Sequence, residues 1–111
     1  MIDSGLPSVD TPALLIDLDI VDRNLERMQE KANNYGVALR PHIKTHKIPE
    51  LAQLQMGLGA RGITVAKVAE AEVMAAAGIK NIFIANQIVT KEKLHRLAAL
   101  SKQVAISVGL D

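Results

Sequence analysis

The chain has 111 residues, a formal net charge of +1 and no cysteine. This length suits one domain with one core. The balance of 49% apolar and 23% charged residues excludes an unfolded polar segment. Because the chain has no cysteine, disulfides and thiolate metal sites are also excluded. With one Phe, one Tyr and no Trp, the chain is a poor candidate for stacking on single-stranded nucleic acid.

The first residues carry neither the basic cluster nor the apolar run of a secretory signal. No apolar stretch approaches the roughly 20 residues that a membrane-spanning helix needs. We therefore expect a soluble cytoplasmic protein that interacts with neither a membrane nor nucleic acid.

The first predicted elements are a strand and a helix. Residues 13–17 are apolar and predict a short strand, after which Asp17 or Asp19 is placed to cap a helix. Gly36 predicts the end of that helix. The apolar positions of the helix recur at spacings of four and three and predict one buried stripe: Val21, Leu25, Met28, Ala32 and Tyr35.

Further along the chain, strands and helices alternate. Strands are predicted over residues 37–43, 62–66, 79–85 and 104–108, and helices over 49–56, 68–77 and 91–102. The last helix also predicts an i,i+4 ion pair between Glu92 and Arg96. The fold class is therefore α/β, with consecutive βα units in a parallel sheet. The alternation fits both an open doubly wound sheet and part of a (βα)8 barrel.

Residues 57–62 match the dinucleotide fingerprint G-x-G-x-x-G. That motif binds a pyrophosphate because the glycines lead from a strand into a helix N-terminus. Here the predicted order is reversed, since a helix precedes the glycines and a strand follows them. We therefore predict a helix stop at this motif and no nucleotide site.

The densest cluster of functional groups lies at the carboxyl end of the predicted strand 37–43, where ligands bind in parallel α/β folds. Five basic or imidazole side chains fall within eight positions: Arg40, His42, Lys44, His46 and Lys47.

Several interpretations of this cluster compete. The spacing of His42 and His46 brings two metal ligands together only on a helix, whereas Pro41 favours extended chain, so we predict no metal site. An anion or nucleic-acid patch is poorly supported by a net charge of +1. Alternatively, nearby cations and desolvation activate Lys44 as a nucleophile toward a carbonyl. A solvated loop without function fits the same residues.

The sequence resembles the D-threonine aldolase and D-serine dehydratase group of the alanine racemase-like (fold type III) pyridoxal-phosphate enzymes. The resemblance rests on residues 11–17 (Thr-Pro-Ala-Leu-Leu-Ile-Asp) and 40–47 (Arg-Pro-His-Ile-Lys-Thr-His-Lys). Residues 63–66, 70–72, 77–79 and 82–87 continue it in the same order, so it covers nearly the whole chain.

The resemblance implies a fold and a division of the chain. The family fold is a (βα)8 TIM-type barrel followed by a β-domain, and four βα units correspond to the first half of that barrel. Residues 1–17 would supply a strand to the β-domain, and residues 18–111 would form the incomplete pyridoxal-phosphate-binding barrel. Later barrel strands, metal ligands from the β-domain and a second subunit of a homodimer would complete the site, so we expect no turnover by this chain alone.

The resemblance also implies roles for individual residues. Lys44 is expected to form the internal aldimine with pyridoxal phosphate and to move a proton at the substrate Cα, with Lys47 as the alternative lysine. The remaining expected contacts are Arg40, His42 and Thr64 to the cofactor, and Asn86, Gln87 and His46 to the substrate pocket. By contrast, Glu70, Glu72 and His95 are expected on helix surfaces, and Met56 and Met74 in the core.

The implied activity is that of a lyase acting on D-3-hydroxy amino acids, either by retro-aldol cleavage of D-threonine or by dehydration of D-serine, with a divalent metal in the full-length family. Two other functions stay open. One is a non-catalytic pyridoxal-phosphate-binding protein, and the other is an inactive half-barrel interaction module with exposed sheet edges.

Overall fold

The computed structural model describes residues 8–111. Its elements are α1 (Leu18–Asn34), α2 (Pro49–Gly57), β1 (Ile63–Val65), α3 (Val68–Ala76), β2 (Asn81–Gln87), α4 (Lys91–Leu100) and β3 (Ala105–Gly109). The strands form one parallel sheet in the order β1-β2-β3. The predicted α/β class and βα alternation are therefore confirmed. No helix within residues 8–111 is long and apolar enough to span a membrane.

Helix α1 begins and ends where the sequence predicts. Asp17 Oδ1 accepts a hydrogen bond from the Ile20 N–H at 3.2 Å, and Gly36 follows the helix with a left-handed φ of +64°. The predicted buried stripe is only partly covered: Ala32 is buried and Val21 and Leu25 are half-buried, whereas Met28 is 54% and Tyr35 74% exposed. Within the helix only Gln29 and Ala32 are buried, because the described residues pack against a small part of this face.

The strand predicted over residues 13–17 does not form. These residues have no strand partner within the described chain, and their side chains are exposed, with Leu14 at 89%. The prediction failed because a strand needs a neighbour for its backbone groups, which an apolar composition does not provide. The assignment of residues 1–17 to a second domain stays a prediction, and residues 1–7 lie outside the described residues.

The first predicted barrel strand is extended but only partly paired. We call residues 39–43 the edge segment. It lies parallel to β1, with hydrogen bonds from Thr64 N to Pro41 O (2.8 Å) and from Ile43 N to Thr64 O (2.9 Å). The next bond of a parallel ladder would run from residue 41 to the Gly62 carbonyl, and Pro41 has no N–H to donate. The edge segment therefore forms a single bridge to β1, between His42 and Thr64.

The two faces of the sheet differ in character. One face packs against α2, α3 and α4 through fully buried side chains that include Ile43, Ile63, Val65, Ile82 and Ile84. Met74 belongs to this core and Met56 packs against it, as predicted. The residues between these apolar positions point to the other face because side chains alternate along a strand.

Residues 57–62 connect a helix to a strand, since α2 ends at Gly57 and β1 begins at Ile63. The predicted helix stop is thus confirmed.

The predicted ion pair between Glu92 and Arg96 is wrong. Arg96 instead binds Glu72 on α3, with Nε donating to Oε1 at 2.8 Å and Nη2 to Oε2. Both side chains are partly exposed.

This pair gives a pH-dependent contribution to stability. The hydrogen bonds from Arg96 lower the pKa of Glu72 from its usual value of 4.5. A carboxyl group with a lowered pKa in the folded state stabilises the fold above the unfolded-state value, and loses that contribution as the pH falls through the folded-state value. We therefore expect Glu72→Gln to lower the urea midpoint at pH 7, with the difference from the parent chain shrinking below pH 4.5. Glu92→Gln should leave the midpoint unchanged at both pH values, and an equal loss in both variants would contradict this pairing.

Candidate functional site

Lys44 lies just beyond the carboxyl end of the edge segment. Ile43 anchors this end in the core with no exposed surface, whereas Lys44 is exposed in the turn that follows. The Lys44 N–H donates to His42 Nδ1 at 3.2 Å. Because Nδ1 accepts, the neutral His42 ring carries its proton on Nε2 and offers an N–H donor.

Polar and apolar side chains form a row across the face of the sheet that points away from the helices. The register aligns His42 with Thr64, Thr64 with Phe83, and Phe83 with Ser107. Thr64 is buried, whereas His42 and Phe83 are half-buried and Ser107 is exposed.

Two positions further toward the carboxyl ends, the residues are Lys44, Ala66 and Ala85. Ala66 and Ala85 carry only methyl side chains, so no large side chain at these two positions fills the surface of the sheet. On the same face, His42 offers an N–H at Nε2, whereas the Thr64 hydroxyl donates to Arg40 O at 3.5 Å. A contact of either residue with a cofactor stays a prediction.

Arg40 lies on the edge segment, four residues before Lys44 and toward the other end of the sheet. Its Nη1 donates to Asn81 Oδ1 at 2.8 Å and to Ile63 O at 3.4 Å. The guanidinium reaches Asn81 by passing over Gly62, where an added Cβ would lie 2.5 Å from Arg40 Nη1. These bonds join the edge segment to β2, and a contact between Arg40 and a cofactor stays a prediction.

His46 is hydrogen-bonded to the backbone of its own loop and to a side chain of α2. Its Nδ1 accepts from the Ile48 N–H at 2.9 Å, so Nε2 carries the proton of the neutral ring and donates to Gln55 Oε1 at 3.3 Å. His46 thus caps the start of α2, which has no side-chain cap of its own at Ile48. A substrate contact by His46 stays a prediction.

No group of three or more His, Cys, Asp or Glu side chains within residues 8–111 is arranged to hold a metal ion.

Glu70 is the residue that the sequence interpretation misplaced. Its side chain is only 10% exposed; Oε1 lies 3.5 Å from Lys47 Nζ, and Oε2 accepts from the Ala66 N–H at 2.7 Å. The expectation of a helix-surface residue is wrong because Glu70 stands in the first turn of α3. A glutamate there can reach back to free N–H groups before the helix, and this signal was available in the sequence.

Asn86 and Gln87 lie at the carboxyl end of β2, exposed, at the edge of the sheet that also carries Lys44. The Asn86 side-chain amide donates to Ala66 O at 3.0 Å, and that of Gln87 to Asp111 Oδ1 at 3.0 Å. Their predicted role in a substrate pocket stays a prediction. His95 lies exposed on α4, as expected.

Comparison with known proteins gives a consistent family signal. The sequence model for the alanine racemase N-terminal domain matches residues 16–109. The chain is 49% identical over 106 residues to a D-threonine aldolase from an Arthrobacter species, covering 96% of this chain and 28% of that protein.

Solved structures agree with this match. The crystal structure of D-threonine aldolase from Filomicrobium marinum superposes with a TM-score of 0.91 at 50% identity, covering 93% of this chain and 28% of that one. D-threo-3-hydroxyaspartate dehydratase from Delftia sp. HT23 gives a TM-score of 0.85 at 38% identity, with 94% and 27% coverage. The chain thus spans less than a third of the length of these relatives.

Proposed function

The chain belongs to the alanine racemase N-terminal domain family, and on that premise we propose that it supplies the lysine-bearing part of a pyridoxal-phosphate-dependent lyase for D-3-hydroxy amino acids. The names of its relatives support this substrate class, since they include aldolases and dehydratases of such compounds. The observation that carries the proposal is the position of Lys44, an exposed lysine just beyond the carboxyl end of the edge segment, at the sheet edge where Asn86 and Gln87 are also exposed.

Lys44 suits covalent attachment better than Lys47 does. The Lys47 amine lies 3.5 Å from the Glu70 carboxylate, and it would have to give up this ion pair before bonding to another group. Within residues 8–111, the Lys44 amine has no side-chain partner to give up. Lys44 also follows directly on a residue fixed in the core, which limits the positions that its amine can reach.

The proposed roles follow from these positions. Pyridoxal phosphate, when bound, supplies an electron sink for charge that develops at the substrate Cα. Lys44 would hold it through Nζ, the amine nitrogen bonding to the aldehyde carbon with loss of one water. When this amine is free, it takes or returns a proton at Cα. Among the described residues, the His42 Nε2–H would orient the ring. The Thr64 hydroxyl donates to Arg40 O at 3.5 Å and would have to exchange that bond to contribute.

A chimera tests the whole proposal. Residues 8–111 would replace the matching segment of the Arthrobacter D-threonine aldolase, of which this chain spans 28%. We expect the chimera to release aldehyde from D-threonine in the presence of pyridoxal phosphate and a divalent metal, because the transplanted part brings its own lysine. The 111-residue chain by itself is expected to bind pyridoxal phosphate without releasing aldehyde or ammonia.

The outcomes separate the candidate functions. A folded chimera that binds pyridoxal phosphate but releases neither aldehyde from D-threonine nor ammonia from D-serine would favour a non-catalytic cofactor-binding protein. A folded chimera that does not bind the cofactor would contradict the proposal. The same chimera carrying Lys44→Arg serves as the matched inactive control.

A further inference from the structure

Loops at the carboxyl edge of the sheet are joined through one carboxylate. Glu70 Oε2 is fixed by the Ala66 N–H at 2.7 Å, in the loop after β1. Its Oε1 lies 3.5 Å from Lys47 Nζ, in the loop after the edge segment. Ala66 O in turn accepts from the Asn86 side chain at 3.0 Å, at the end of β2. A continuous chain of contacts therefore runs from Lys47 across β1 to Asn86.

The backbone conformation of Lys47 is one that its surroundings have to stabilise. Lys47 has a φ of +54°, within the left-handed region, which is unfavourable for a residue with a Cβ. Its N–H donates to Ile43 O at 2.8 Å and so closes the turn that contains Lys44. A conformation of this kind persists only where its surroundings hold it. The turn bond holds the Lys47 backbone, and Glu70 holds its side chain.

The two members of the ion pair are anchored unequally. The Glu70 side chain is 10% exposed and that of Lys47 is 58% exposed. Because Oε2 is bound to the backbone after β1, the sheet and α3 fix the carboxylate independently of Lys47. The Glu70 carboxylate therefore restrains the loop that carries Lys44, and not the reverse.

We propose that Glu70 is a positioning residue for Lys44. By holding Lys47, it fixes the turn between Ile43 and Lys47 and so sets the direction in which the Lys44 amine is presented. This inference rests on the proposed function, in which that amine binds pyridoxal phosphate. Glu70 would thus affect the attachment of the cofactor to Lys44 without contacting the cofactor itself.

The test compares two glutamates on the same helix. Glu70→Gln keeps the shape and can still accept from the Ala66 N–H, but it removes the charge that holds Lys47. We expect the Kd for pyridoxal phosphate, followed by its visible absorbance on titration, to rise about tenfold, because small displacements of a reacting group carry large penalties. Glu72→Gln removes a carboxylate that binds Arg96 on the α4 side, and it should change this Kd less than twofold.

Further measurements distinguish positioning from general stability. In the cofactor-free chain, Glu70→Gln should accelerate hydrogen exchange of the Lys47 amide, whereas Glu72→Gln should not. Lys47→Asn tolerates the left-handed backbone but lacks the ion pair. It should weaken binding as Glu70→Gln does, and the double variant should be no weaker than either single variant, since both remove one interaction.

Each result bears on a separate claim. Unchanged exchange of the Lys47 amide in Glu70→Gln, or equal effects of Glu70→Gln and Glu72→Gln on the Kd, would overturn the positioning role. Failure of both the parent chain and the folded chimera to bind pyridoxal phosphate would overturn the proposed function. In that case the exchange measurement still decides whether Glu70 holds the turn.

Discussion

Replacing Lys44 by arginine is expected to abolish covalent attachment of pyridoxal phosphate. Arginine keeps the positive charge and most of the length of lysine, so the turn should keep its conformation. Its guanidinium is not deprotonated in proteins and offers no amine nucleophile. The measurement is the intact mass of the chain after incubation with pyridoxal phosphate and borohydride reduction. The parent chain should gain one phosphopyridoxyl group, and Lys44→Arg should gain none.

The matched control is Lys80→Arg. Lys80 is also exposed, but it precedes β2 at the amino end of the sheet, away from the turn that carries Lys44. This variant should be labelled to the same extent as the parent chain. Labelling of Lys44→Arg at the parent level would mean that another lysine, with Lys47 the first candidate, binds the cofactor.

Gly62→Ala is expected to destabilise the fold by about 1–3 kcal/mol, the usual cost of overpacking a close-packed position. A Cβ at this position would lie 2.5 Å from Arg40 Nη1 and 2.6 Å from Asn81 O. The guanidinium can move aside, at the expense of its bond to Asn81 Oδ1. The Asn81 carbonyl is backbone, so the sheet itself has to shift. Urea denaturation of the two chains measures this difference in free energy of unfolding.

Gly57→Ala is the matched control for this prediction. Gly57 is the last residue of α2, and an added Cβ would meet nothing within 4 Å. In the middle of a helix the same substitution stabilises by about 0.5–1 kcal/mol. At the last residue of α2 we expect a gain no larger than this, so the two variants should move the urea midpoint in opposite directions. Equal stability of Gly62→Ala and the parent chain would show that the close contact of Arg40, Gly62 and Asn81 is not formed in solution.

The order of helices and strands was predictable because hydrophobic periodicity and glycine stops are local signals. The failures involve partners that are distant in the chain. Arg96 binds Glu72 on another helix in place of Glu92 on its own, and local spacing carries no information about such a partner. Likewise, the strand predicted over residues 13–17 depends on a neighbouring strand that the described residues do not supply.

In the candidate site, too, local features were predictable from the sequence and contacts between distant residues were not. The place of Lys44 at a strand end followed from chain order, since the carboxyl ends of parallel strands share one edge. The bond from Arg40 to Asn81 joins residues 41 positions apart, and no pattern around either residue indicates it. Glu70 had a usable signal in its position in the first turn of α3. That signal identifies a residue able to reach back, but it does not identify Lys47 as its partner.

The central claim is that Lys44 is the residue through which this chain holds pyridoxal phosphate. Its most direct test is borohydride reduction of the parent chain with pyridoxal phosphate, followed by proteolysis and tandem mass spectrometry to locate the phosphopyridoxyl group. The structure leads us to expect a single modified residue, Lys44, at stoichiometric occupancy. A label on Lys47, or one spread among exposed lysines in proportion to their exposure, would contradict the claim.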